Sequence, residues 1–203
     1  MDLFAADDAP ANLLPRDGVA VYHGPVFPRE EAERIFKALL QGIPWASDEV
    51  VIFGKRIITA RKVAWYGDPG LSYRYSGSTK QPLPWTPELL MLKATVERLA
   101  GTAFNSCLLN LYHHGQEGMG WHSDDEKSLA AEAPIASLSF GAERKFSFKH
   151  KHTGEGVSLL LETGSLLLMK APTQAHWLHS LPKTKKVTAL RVNLTFRVIA
   201  RPG

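Results

Sequence analysis

His122 and Asp124 stand two residues apart in Gly120-Trp121-His122-Ser123-Asp124-Asp125-Glu126. In a strand or tight turn, residues i and i+2 point the same way, so an imidazole and a carboxylate can grip one ion from one side. A third ligand has to come from elsewhere. Ala175-His176-Trp177-Leu178-His179-Ser180, far downstream, offers two histidines. In an extended segment their odd spacing turns His176 and His179 to opposite faces, so only one of them can serve. Two imidazoles and one carboxylate on one face of a metal leave the opposite positions open. Non-haem iron(II) oxygenases use that arrangement to bind a co-substrate and dioxygen. A structural zinc site would need four closed ligands, usually rich in Cys. Alone, the His-x-Asp pair carries little, because His and Asp are common in polar loops and the chain has eight His.

A second pattern adds weight. Arg191-Val192-Asn193-Leu194-Thr195-Phe196-Arg197 alternates polar and apolar residues. Arg191, Asn193, Thr195 and Arg197 therefore share one face of a strand, and Val192, Leu194 and Phe196 the other. An ordinary outer strand alternates too, but two Arg on one face also make a fixed double fork for a dicarboxylate. Asn110-Leu111-Tyr112, shortly before His122, supplies another polar pair at i and i+2.

These side chains need a frame to bring them together. Residues 1 to about 16 lack periodicity and read as a loose tail, leaving 17–203 as one domain. Pro28 to Gln41 reads as a helix with Ala32, Ile35, Phe36, Leu39 and Leu40 on one face, acids in the first turn and Gly42 at its end. Thr86-Pro87-Glu88 opens a second helix and Gly101 closes it, with Leu89, Leu92, Val96 and Leu99 as the buried stripe. From Asn105 onward the chain reads as short strands broken by Gly and Pro, without helix-length periodicity. Two helices in the N-terminal half backing a mainly β core give an α+β class, and a jelly-roll or double-stranded β-helix is the predicted architecture. Tyr66 to Pro87, rich in Gly, Ser and Pro, reads as a functional loop.

Individual residues divide between bland and sharp readings. Val50 to Ile58 reads as a hairpin, in which Phe53 taken alone is a buried apolar residue. Tyr73 and Tyr75 alternate within a polar segment, which favours stacking on a ligand ring over core packing. His113, His114, His150 and His152 lack partners at ligand spacing and read as surface residues. Trp121 and Trp177 read as packing supports.

Composition sets the outer limits. With 203 residues, 44% hydrophobic and 22% charged, the chain fits one globular domain with a substantial core. Its only cysteine, Cys107, can form no intrachain disulfide, which allows a reducing compartment. The start, Met-Asp-Leu-Phe-Ala-Ala-Asp-Asp, is acidic where a secretory signal is basic. No stretch approaches the roughly 20 apolar residues of a membrane span. The expectation is a soluble intracellular monomer, cytoplasmic in a bacterium and nuclear in a eukaryote. Net charge is +4, and the cations cluster: Lys145, Lys149 and Lys151; Lys183, Lys185 and Lys186; Lys55, Arg56, Arg61 and Lys62. Solvated faces would look the same, but three clusters around a candidate site are also what a phosphate-tracking groove needs.

Taken together, Asn110-x-Tyr112, His122-x-Asp124, His179 and Arg191-x-Asn193-x-Thr195-Phe196-Arg197 resemble the AlkB family of Fe(II)- and 2-oxoglutarate-dependent nucleic-acid dealkylases. The resemblance runs from about Val50 to Arg197. Asp125-Glu126, Pro134 to Gly141, His176 to Pro182 and Arg191 to Arg197 look most like the branch acting on duplex DNA. The resemblance picks His179 over His176 and implies iron at His122, Asp124 and His179. It implies 2-oxoglutarate held by Arg191, with Asn110, Tyr112, Asn193, Thr195 and Arg197 completing the pocket. It further implies a flipped base sandwiched by Tyr73, Tyr75 and His176, with its edge read by Asp125 and Glu126. Residues about 48–80 become nucleotide-recognition loops, in which the Val51-Ile52-Phe53-Gly54-Lys55 hairpin is similar to a finger that pushes an aromatic wedge between base pairs. Lys55, Arg56, Arg61, Lys185 and Lys186 would then meet phosphates.

The implied function is repair of alkylated duplex DNA. 2-Oxoglutarate and O2 are consumed, an N-methyl group of the 1-methyladenine or 3-methylcytosine type is oxidised, and formaldehyde and succinate are released. The rivals are the same chemistry on RNA or single strands, a non-catalytic module that binds damaged DNA, and a protein hydroxylase. The intact triad and both Arg count against the second, and the basic clusters and paired tyrosines against the third.

Overall fold

In the computed structural model of the chain, residues 10–52, 55–71, 73–75, 78–126, 128–130 and 132–200 are described, by backbone alone over 48–52, 55–57, 73–75 and 78–80. The first elements are β1 (Val19–Pro25), α1 (Arg29–Gly42), β2 (Ala46–Ile52), β3 (Lys55–Gly67), β4 (Tyr73–Tyr75), β5 (Ser78–Lys80) and α2 (Pro87–Ala100). Strands then dominate: β6 (Ser106–Tyr112), β7 (Met119–His122), β8 (Ile135–Gly141), β9 (Arg144–His150), β10 (Gly156–Leu161) and β11 (Ser165–Lys170). A single helical turn, α3 (Thr173–His176), precedes β12 (Trp177–Leu181) and β13 (Arg191–Arg197).

The strands form a seven-stranded sheet in the order β1-β11-β8-β13-β6-β3-β2 and a four-stranded sheet in the order β10-β9-β12-β7. Period-two alternation divides the large sheet's side chains between two layers. Val192, Leu194 and Phe196 of β13, with Leu138 and Phe140 of β8, pack against Ile35 and Leu39 of α1 and Leu89, Leu92 and Val96 of α2. The opposite face meets the small sheet, where Tyr112, Ile135, Leu167 and Met169 pack with Phe146, Phe148, Trp177 and Leu181. At about 1.5–3 kcal/mol per buried large apolar side chain, both layers contribute strongly to stability. Helices, large sheet and small sheet thus stack as the predicted jelly-roll, and the polar face of β13 lies between the two sheets.

The helices follow their sequence signals, with differences at the ends. The Thr86 hydroxyl accepts the Leu89 N–H at 3.3 Å, and Gly101 closes α2 at φ 66°. α1 runs through Gly42 and is capped by extended Ile43, so Gly42 is its last residue and not its stop. The strand-only reading after Asn105 misses α3, whose four residues are too few to show a helical period.

Residues 12–16, expected to belong to a loose tail, are held in place. Asn12 bridges Leu14 and Gly18 through its amide, Leu14 is 3% exposed, and the Arg16 carbonyl accepts the Trp177 indole N–H at 3.0 Å. An Asn turn and one anchoring Leu hold this segment without any repeat for a periodicity search to find. Within 66–87, β4 and β5 pair as a small hairpin instead of forming an irregular loop. Among the described residues, no helix is long and apolar enough to cross a membrane.

Candidate metal and co-substrate site

β7 and β12 pair so that His122 and His179 are direct Cα partners, with ring centroids 4.2 Å apart. His122 Nδ1 lies 2.9 Å from the Gly120 carbonyl, which can only accept. That contact puts the proton on Nδ1 and leaves the Nε2 lone pair free for a metal. Asp124 follows β7, and its backbone N–H donates to Gln174 Oε1 at 2.9 Å. Its carboxylate accepts from Arg197 Nη2 at 2.8 Å and lies 4.0 Å from His179 Nε2. Ligand atoms of His122, Asp124 and His179 all fall within 4.8 Å of one another.

Electrostatics suits these groups to a cation. Burial, reinforced by neighbouring His122, pushes the His179 pKa down to about 3, so its imidazole is neutral and its lone pair available. Burial works to raise Asp124, but Arg197 and the two histidines outweigh it and hold the carboxyl below its usual value. A neutral imidazole and an ionised carboxylate are the protonation states that metal ligation requires.

Beside the triad, β13 runs between β6 and β8, so Asn193 is flanked by Asn110 and Ser139, and Arg191 by Tyr112 and Gly141. Arg191 is only 2% exposed. One Nη donates to Ser139 Oγ at 2.9 Å, its guanidinium lies 5.5 Å from the Tyr112 ring centroid, and its Nε has no hydrogen-bond partner. Burial lowers its pKa to about 10. A buried cation with an unmet donor calls for an anion. Asn193 donates to Ser137 Oγ at 2.9 Å and accepts from Thr195 Oγ1 at 3.1 Å. A cavity of about 70 Å³ joins Asn110, Tyr112, Arg191 and Asn193 to the triad. A larger one of about 550 Å³, carrying Asp125, Glu126 and Gln174, meets it at Asp124 and Arg197.

Every residue predicted for metal and co-substrate therefore gathers in one place. The nucleotide-recognition residues are more dispersed. Asp125 and Glu126 are exposed just past the triad. His176 ends α3, its ring parallel to His150 at 6.3 Å. His176 lies in a helical turn and not in an extended segment, so period-two spacing does not relate it to His179 in β12. Tyr73 and Tyr75 are the first and last residues of β4. β2 and β3 form the predicted hairpin with Ile52 opposite Lys55, but its tip, Phe53-Gly54, lies outside the described residues. Lys185 and Lys186 are exposed, beyond β12.

Three expectations change. Arg61, assigned to phosphate, donates from Nε to Asn110 Oδ1 at 3.1 Å, because β3 pairs with β6 and turns it toward the co-substrate pocket. His150, read as a surface residue, is 3% exposed: it occupies an inward position of β9, accepts the His152 and Thr153 N–H groups and approaches Asp17 at 3.3 Å. Trp177 is fully buried as a packing residue, but Trp121 is 48% exposed, since alternation along β7 turns it outward from His122. Sequence reasoning also missed Gln174 and Arg144. Arg144 is buried and donates to the carbonyls of Gly115, Glu117 and Pro182 at 3.1, 3.0 and 2.9 Å. Its place in the inward series of Phe146 and Phe148 was the available signal.

Comparison with known proteins agrees with this geometry. The 2OG-Fe(II) oxygenase superfamily matches residues 18–197. The chain is 45% identical to mouse "DNA oxidative demethylase ALKBH2" over 92% of its own length and 82% of the relative's. It is 44% identical to the human protein of that name, over 90% and 74%. It is 41% identical to human "Alpha-ketoglutarate-dependent dioxygenase alkB homolog 3", over 84% and 62%. Among solved structures, that of OsALKBH1 superposes with a TM-score of 0.63 at 18% identity, covering 93% of this chain and all of the other, a likeness of fold. With its facing His and Asp ligands and the Arg-bearing strand beside them, the chain belongs to the 2OG-Fe(II) oxygenase superfamily and, within it, to the AlkB family, whose chemistry uses Fe(II) and 2-oxoglutarate.

Proposed function

We propose that this protein is a DNA repair dioxygenase that removes N-alkyl groups from flipped bases, with His122, Asp124 and His179 as the iron ligands. The observation that carries the reading is the buried Arg191, unmet at Nε, on the strand face that opens onto the His-Asp-His cluster. In this reading Arg191 binds the distal carboxylate of 2-oxoglutarate, and Asn110, Tyr112, Asn193, Thr195 and Arg197 shape its pocket. Iron, 2-oxoglutarate and dioxygen together supply the oxidant that hydroxylates the N-methyl carbon, after which the hemiaminal releases formaldehyde and restores the base.

The chain's own part is binding, orientation and exclusion of water. His122 and His179 present ring lone pairs, Arg197 holds the Asp124 charge in place, and the apolar layer of Phe146, Phe148 and Trp177 keeps the site dry. Asp125 and Glu126 lie where they would favour a base made cationic by methylation on its pairing edge. His176, Tyr73 and Tyr75 stack on that base. Residues 12–203 act as one dioxygenase domain, with 48–80 as the recognition segment. The β2–β3 hairpin favours duplex DNA as partner, with Phe53 filling the gap, and Lys55, Arg56, Lys185 and Lys186 meeting phosphates. The protein works as a soluble intracellular monomer.

The test is formaldehyde release from oligonucleotides carrying 3-methylcytosine, as single strands and as duplexes, with and without added Fe(II) and 2-oxoglutarate. Release should require both and should be faster on the duplex. Release only from RNA, or intact binding of methylated DNA with no release under any condition, would replace this reading by one of its rivals.

A further inference from the structure

One lysine outside the proposed machinery touches two of the residues read as facing the base, His176 and Asp125. Lys151 follows β9, and its backbone N–H donates to the His176 carbonyl at 2.8 Å. Its ammonium donates to the Gln174 carbonyl at 2.8 Å and lies 3.5 Å from Asp125 Oδ2. Gln174 in turn accepts the Asp124 N–H at 2.9 Å and donates to Met169 Sδ at 3.7 Å. The same residue is therefore tied to the base-stacking histidine, the base-reading acid and the turn that seats a metal ligand. Lys151 is 24% exposed and Asp125 is 62% exposed. The lysine is anchored by a carbonyl at its tip while the acid is free to swing.

We propose that Lys151 is a specificity-determining residue that offsets the negative charge of Asp125 and so limits how strongly the site prefers cationic lesions. The proposal rests on the reading of Asp125 as a residue that faces the base. An arriving base can draw Asp125 away from Lys151, but the Gln174 carbonyl keeps the ammonium where it is. The ammonium then opposes a positive base and has little effect on a neutral one. Paired with Asp125, it lowers the negative charge that stands beside Glu126, and neutral alkylated bases are tolerated beside cationic ones. Its second role is positional: the bond to Gln174 steadies α3 and with it the Asp124 N–H.

The two roles separate by substitution. Lys151→Gln keeps a donor for the Gln174 carbonyl and removes the charge, while Lys151→Arg keeps both. The measured quantity is kcat/KM on single-stranded oligonucleotides carrying 3-methylcytosine, cationic at neutral pH, divided by that on oligonucleotides carrying neutral 3-methylthymine. Any loss of folded enzyme cancels in this ratio. Lys151→Gln should raise the ratio by about five- to tenfold, the size expected for one partly screened charge at several ångströms. The rise should lie mainly in KM, and Lys151→Arg should return the ratio to the wild-type value. Asp125→Asn should lower the ratio, and the double variant should fall between the two singles.

An unchanged or lowered ratio in Lys151→Gln, while Asp125→Asn still lowers it, overturns the role of Lys151 and leaves the base-reading role of Asp125 standing. A ratio that Asp125→Asn does not move overturns that underlying reading, and this proposal with it.

Discussion

The two halves of the site are built on opposite physical terms. Around the triad, charge is buried: Arg191 and His179 are almost wholly enclosed, Asp124 is clamped by Arg197, and burial moves the His179 and Arg191 pKa values far from normal. On the recognition side, Asp125, Glu126, Lys185 and Lys186 are exposed. Their charges are partly screened by water and salt, so each acts more weakly than a buried charge. The first half comes mostly from paired strands that fix their side chains to one face, with Asp124 just past the end of β7. The second comes from loops, a hairpin and one turn of helix. Under the proposed function, chemistry that needs fixed ligands and a dry pocket would occupy the rigid half, and discrimination among substrates the adaptable one.

That contrast can be broken most severely at the ligands. His122→Ala, Asp124→Ala and His179→Ala should each abolish turnover and weaken iron binding, because each removes one of the three proposed ligands. Near-normal activity after chelation and iron reloading in any one of them would remove that residue from the triad. Next in size is Arg191→Lys. It loses the planar two-point clamp, and a lost hydrogen bond to a charged group costs roughly 1.5–3 kcal/mol, or about tenfold or more in the 2-oxoglutarate KM. An unchanged KM would move the co-substrate elsewhere.

The recognition half predicts smaller, selective effects. Extruding a base from a duplex costs a few kcal/mol and from a single strand almost nothing, so Phe53→Ala should slow duplex repair well beyond single-strand repair. Equal slowing on both substrates would make Phe53 a core residue. A pH experiment sharpens the buried half. The unfolded chain takes up a proton on His179 near pH 6.5 that the folded site refuses until about 3. The metal-stripped protein should therefore lose stability as the pH falls below 6.5, by at most roughly 1.4 kcal/mol per pH unit from this group. The lowered Asp124 adds to the loss at the acid end. Thermal melts at pH 7 and 5 should show this loss, and His179→Gln should flatten it.

The same division explains what could be read from the chain before its structure was known. The β13 alternation is a period-two signal over seven residues, so Arg191, Asn193, Thr195 and Arg197 were legible as one face, as were both helices from their caps and stripes. The closing of the triad was not, because the pairing of His122 with His179 depends on how β7 and β12 meet, and no local pattern encodes that. Spacing alone left His176 and His179 open. The orientations of Arg61 and His150 have a related origin: they follow from long-range pairing with β6 and β12. The Gln174 and Lys151 links run through backbone carbonyls and a single helical turn, which residue types do not announce.

The division itself is tested most directly by measuring succinate and formaldehyde side by side, with a methylated oligonucleotide present, in Asp125→Asn, Glu126→Gln and His179→Ala. The account predicts that both acid variants keep iron-dependent succinate release while formaldehyde falls, and that His179→Ala loses both products. Equal loss of succinate and formaldehyde in the acid variants would contradict it, since recognition and chemistry would then share the same residues.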